Sequence, residues 1–146
     1  MLERGKGRAA EKPRFWPDVR LPELAKHFSM LLRPGVRARQ LVITWPLASS
    51  YLHFTNEARS LAVQAIINEG TSRESAIRKS AVRQVFDAAG LSPILDAPAP
   101  GASFIRVLEY QLPNSAPEID QLILDVLRRG FGLAEGVSLH VSLWRG

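Results

Sequence analysis

Apolar positions recur at helical spacing through residues 56–90, and the rest of the chain is arranged around that stretch. Ala58, Leu61, Ala62, Ala65 and Ile66 make one stripe of a helix predicted over residues 56–69. Thr55 or Asn56 supplies a side-chain cap, Glu57 suits the positive end of the helix dipole, and Gly70 ends the helix. A second helix follows the turn at Gly70-Thr71-Ser72 and stops at Gly90. Ile77, Ala81, Val82, Val85, Phe86 and Ala89 form its apolar arc, with Arg73, Lys79, Ser80, Arg83, Gln84 and Asp87 on the other side. Thr71 and Glu74, three residues apart, form a capping box at its start.

Residues 21–33 predict a short helix with Leu21, Leu24, Phe28, Leu31 and Leu32 on its apolar face and His27 on the polar flank. Residues 41–45 predict a strand ended by Pro46, and residues 47–54 a loop. Residues 91–102, rich in Pro, Ala and Gly, predict a long surface loop. Residues 103–112 are apolar on both faces, as a central strand would be. Ser115 and Glu118 box the start of a helix that runs to about residue 129, with Arg128 and Arg129 at its negative end and Gly130 as its stop. Val137, Leu139, Val141 and Leu143 alternate with Ser138, His140, Ser142 and Trp144, which predicts a strand with one face in the core and Trp144 outward. The predicted order is α-β-α-α-β-α-β. This gives an α+β (or small α/β) fold, with a sheet of about three strands and helices mainly on one face. Strand-helix-strand units favour parallel pairs with right-handed crossovers. So small a sheet leaves an edge or a face open, and such sheets complete themselves by forming a dimer.

Composition bounds the function more than the fold. The chain has 146 residues, about one domain, and 46% of them are hydrophobic. It has no cysteine, so disulfide and thiolate chemistry are excluded, and a reducing, cytoplasmic setting is expected. No apolar run approaches the ~18 residues of a membrane span. The first residues have no apolar segment of the secretory type, and Glu3, Glu11 and Asp18 do not suit a transit peptide. The net charge of +5 is uneven: residues 1–40 hold ten Lys/Arg and four Asp/Glu, whereas residues 41–146 carry −1. We therefore expect residues 1–20 to be a basic, flexible arm and residues 21–146 a single globular domain. A basic arm attracts polyanions, nucleic acid above all, or serves as a solvated tail. Phe15, Trp16 and Pro17 interrupt it, and an aromatic pair in such a place docks onto the body or onto a partner.

One local pattern carries a functional suggestion. A strand, a helix, the Gly-Thr-Ser-Arg turn and a helix containing Ala76-Ile77-Arg78-Lys79 resemble a ribbon-helix-helix DNA-binding module over residues 40–86. The resemblance implies a dimeric two-stranded ribbon, with Gln40, Val42 and Thr44, or the alternate face, as readers of the groove. It also implies a phosphate clamp at Thr71, Ser72 and Arg73. The same turn is accounted for by helix capping alone. The expected function is thus a non-enzymatic nucleic-acid-binding protein that uses the arm and the 71–86 helix, with Arg37, Arg39, Thr71, Ser72, Arg73, Lys79 and Arg83 as contacts. The alternative is an interaction or assembly subunit that forms a homo-oligomer through its sheet. Ser49, Ser50, His53 and Asn114 fall at strand ends, where a small anion could bind. Three dispersed histidines without cysteine give no metal site, no serine has a nucleophile context, and no cofactor or membrane partner is expected.

Overall fold

Alternation governs more of this chain than helical spacing does. Within residues 60–68, Leu61, Val63, Ala65 and Ile67 are fully buried while Ala62 and Gln64 are half exposed. This is a strand with one face in the core. The computed structural model describes residues 13–33, 38–46, 49–57, 60–69, 73–113 and 115–145, apart from the side chains of 38 and 73–77. Among these residues the chain forms β1 (Arg14–Val19), a 3-10 turn (Leu21–Glu23), α1 (Ala25–Leu31), β2 (Ala38–Thr44), β3 (Tyr51–Glu57), β4 (Ser60–Asn68), α2 (Arg73–Ala88), β5 (Leu95–Ala99), β6 (Ala102–Leu112), α3 (Ala116–Asp125) continuing as a π turn (Val126–Gly130), and β7 (Leu139–Trp144).

The strands form one seven-stranded sheet in the order β1-β7-β2-β3-β4-β6-β5. Every neighbouring pair is antiparallel. The expectation of about three strands joined by parallel crossovers is therefore overturned. The helix expected over residues 56–69 is the end of β3 and the whole of β4. Ala58, Leu61, Ala62, Ala65 and Ile66 fit a helical stripe, but Leu61, Val63, Ala65 and Ile67 fit a period of two equally well. The second pattern wins because Val63, Ile66 and Ile67 favour a pleated surface and β3 and β6 lie on either side to pair with it. Residues 51–54, expected as loop, belong to β3, with Leu52 and Phe54 in the core. The Pro-rich loop contains β5, an edge strand, where Pro98 costs no interior ladder bond. Arg14–Val19, within the stretch expected as arm, forms β1 on the opposite edge. The ribbon-helix-helix resemblance falls with the first helix: β2 is an interior strand paired to β3 and β7, and no helix lies between it and residue 69 among the described residues. The second helix, the long strand β6 and the terminal alternation of β7 stand where the sequence puts them. Gly90 ends α2 region in the left-handed conformation, φ +80°, with its N–H donating to Asp87 O.

One sheet face joins all three helices in a single apolar cluster. Phe28 of α1 meets Phe54 of β3 at 5.3 Å between ring centroids, and Phe86 of α2 stacks on Tyr110 of β6 at 3.7 Å and 12°. Burial pushes the Tyr110 hydroxyl pKa up to about 12. The π turn passes close over α2: a Cβ on Gly130 would lie 3.0 Å from Val82 Cγ2 and 3.2 Å from Val82 Cα. His27, expected on a polar flank, is instead fully buried under Trp16 of β1. α1 is short and packs beneath the edge strand at this position, so His27 is covered while Lys26 and Ser29 stay exposed.

Candidate functional site

Of the predicted nucleic-acid residues, Arg39, Lys79 and Arg83 have described side chains. Arg37, Thr71, Ser72 and Asn114 lie outside the described residues, as does the side chain of Arg73. Arg39 points to the helix side of β2 and is buried. Arg83, on α2, donates to Asp96 Oδ2 at 2.7 Å, and Arg106 of β6 donates to Oδ1 of the same carboxylate at 2.6 Å and to the Asp96 carbonyl at 3.3 Å. Burial raises the Asp96 pKa, but the Arg106 hydrogen bond and the charges of Lys79, Arg106 and Arg83 outweigh it and hold the carboxyl below its ordinary 3.8. Two cations assigned to nucleic acid, Lys79 and Arg83, thus surround an internal carboxylate that ties α2 to β5 and β6. Of the expected anion group, Ser49, Ser50 and His53 are described. Ser49 is exposed, while Ser50 Oγ accepts the Asn68 N–H at 3.1 Å and fastens the start of β3 to the end of β4.

His53 belongs to a different arrangement. The sheet face away from the helices is uncovered by any described residue, and its side chains form cross-strand rows. One row crosses all seven strands in register: Phe15, Ser142, Val42, His53, Gln64, Glu109 and Leu95. At ~4.8 Å per strand it is about 29 Å long. A neighbouring row holds Trp144, Gln40, Thr55, Ala62 and Gln111. The rings form two pairs on this face. Phe15, 58% exposed, meets the edge of His140 at 5.9 Å, and His53 lies nearly parallel to Trp144 at 6.2 Å and 27°.

Polar side chains pair across the same face. His53 Nε2–H donates to Gln40 Oε1 at 2.7 Å, and Gln64 Nε2–H donates to Glu109 Oε1 at 3.0 Å. Burial holds the His53 imidazole below its ordinary pKa of 6.5, so it is neutral at pH 7. No acidic side chain stands among Phe15, Gln40, Val42, His53, His140, Ser142 and Trp144. Acids lie at the borders: Glu109 further along the sheet, and Asp18 at the end of β1, where it accepts from Ser138 Oγ at 2.7 Å and pairs with Arg20 at 3.3 Å. β1 is also the strand into which the basic first residues lead. Gln64 and the two ring pairs escape sequence reasoning because topology alone brings Phe15 to His140 and His53 to Trp144, whereas Gln40 enters there only as a groove reader implied by the resemblance. The alternation of Tyr51, His53 and Thr55 with Leu52 and Phe54 is the signal that places His53 on this face.

On the helical side, a groove of about 500 Å³ runs between α2 and α3, with Ala81, Val85 and Leu122 on its walls and Glu118, Asp125 and Arg129 at its rim. It collects none of the predicted contacts. Among the described residues no cluster of three His, Asp or Glu has the spacing of a metal site, and no helix is long and apolar enough to cross a membrane. Comparison of the chain with protein-family models, with curated proteins and with solved structures gave no match in any of the three.

Proposed function

We propose that the chain is a non-enzymatic nucleic-acid-binding protein and that its ligand is single-stranded, lying on the open sheet face. The observation that carries this is the two ring pairs on that face, Phe15 with His140 and His53 with Trp144, in a chain whose first residues are basic in sequence. Every nucleobase has a π face, so aromatic platforms on a sheet bind single strands with little regard to sequence. Gln40, His53 and Gln64 add donors and acceptors suited to base edges, and the basic residues supply attraction to phosphate. A cytoplasmic setting goes with this reading. The α2 cations, engaged with Asp96, have at most an accessory part.

Fluorescence anisotropy with labelled 20-nucleotide dT and U oligomers tests it. Binding is expected at 50 mM salt and should weaken steeply by 300 mM. Phe15→Ala and Trp144→Ala should each weaken it about tenfold, the effect of losing one stacked base. Absence of binding at low salt, or binding indifferent to both substitutions, overturns the reading.

A second reading, a homo-oligomer assembled through the same face, is favoured by the exposure of Phe15 and Leu95 at the two ends of the seven-strand row. It predicts a dimer by light scattering that Phe15→Glu with Leu95→Glu converts to monomer. A wild-type monomer at high concentration excludes it.

A further inference from the structure

We infer that β1 is a latched strand, and that protonation of His27 opens the latch. The aromatic pair Phe15-Trp16 divides between the two faces: Phe15 lies on the open face, while Trp16 turns inward and meets His27 edge-on at 4.7 Å. Apart from this contact, β1 is held by its ladder with β7 and by Val19, which is buried in the core at the far end of the strand. Four of its six residues are exposed, Pro17 interrupts it, and its register with β7 shifts between Trp16 and Val19. Polar contacts at the surface add to these: Arg14 to Met30 Sδ at 3.7 Å, Asp18 to Ser138, and Arg20, just beyond the strand, to the Gly136 carbonyl.

The imidazole under Trp16 is built to be neutral. It is fully buried, its Nδ1–H donates to the Glu23 carbonyl at 3.2 Å, and Nε2 is buried without a hydrogen-bond partner among the described residues. A proton added at Nε2 would create a buried cation whose new N–H has no acceptor, which a fold does not tolerate unless the site opens. The charged groups around the ring do little to relieve this. Lys26 opposes the cation and Glu23 favours it, but burial is the larger influence, and the pKa lies below 6.5. On the β1 side Arg14 and Asp18 are engaged as described. On α3, which packs against α1, the half-buried carboxyl of Asp120 is itself held toward its neutral form by burial. The unlatched strand can bind the proton more readily than the latched one, so the latch is closed above pH 6.5 and opens as pH falls below it. Opening releases Trp16 from the core side, and with it Phe15 from the open face. The latch stands apart from the nucleic-acid reading; only its effect on ligand binding rests on that reading.

Backbone amide NMR of the whole chain, titrated from pH 8 to pH 5 without nucleic acid, tests this. The β1 amides and the Trp16 indole N–H should lose their ordered shifts in step with His27, while β3, β4 and β6 keep theirs. His27→Phe, which keeps a ring beneath Trp16, should hold β1 in place throughout; if it fails to fold, His27→Gln should show the same loss of pH response. Retention of β1 to pH 5, concerted loss of all strands, or the same release in the variant overturns the inference. Oligonucleotide binding at pH 7.5 and 5.5 separates the two proposals: release of β1 in a chain that binds no oligonucleotide at either pH leaves the latch standing and removes the nucleic-acid reading.

Discussion

Gly130 shows how closely one position can be determined. The π turn carries α3 over α2, and the approach leaves no room for a methyl group, since the nearest atoms include the Val82 backbone. A side chain can rotate away, but a Cα inside a helix cannot. Gly130→Ala should therefore destabilise the protein by about 1–3 kcal/mol, the range for overpacking, read from the midpoint of urea unfolding. Gly136 is the control, because a Cβ there meets nothing within 4 Å and its φ is not in the left-handed region. Gly136→Ala should stay within about 0.5 kcal/mol of wild type. Phe15 and Trp16 teach a related lesson. The sequence offers two adjacent aromatic residues, and the pleat turns Trp16 onto His27 and leaves Phe15 exposed on the other face.

At the scale of elements, the sequence is legible where one period excludes the other. Leu139, Val141 and Leu143 alternate cleanly with His140 and Ser142, so β7 is readable, and the capped, strongly punctuated α2 is readable for the same reason. β4 is not, because small Ala62 and Ala65 satisfy both periods. β5 hides behind Pro98, which argues against a strand until the strand is known to be an edge. The candidate face was legible only in parts: Trp144 as outward, His53 as polar, Phe15 as unusual. Their meeting depends on β7, the last strand, inserting between β1 and β2, and no local pattern contains that information. The two periods can be told apart by experiment. A helix would place Ala62 and Ala65 on one stripe, whereas β4 puts Ala65 fully buried on the core face and Ala62 half exposed on the other. Ala65→Lys should cost at least about 3 kcal/mol, because an amine would be buried without a partner. Ala62→Lys should cost less than about 1 kcal/mol. Equal effects in urea unfolding would contradict the register of β4.

For the whole molecule, the division of labour between faces accounts for the basic residues of α2 and β6 that meet Asp96. A basic residue in a sequence is a candidate for a phosphate, but Arg83 and Arg106 are consumed holding the sheet and the helical layer together around Asp96. The excess of positive charge over acid belongs to the first forty residues of the sequence. Both edges of the sheet carry a proline, Pro17 on β1 and Pro98 on β5, each lacking the N–H that another strand would need. This constrains symmetry. Edge-to-edge addition is the head-to-tail contact that repeats without limit and grows fibres, and here it is obstructed at both ends. Growth of a filament by adding copies strand to strand is thereby disfavoured.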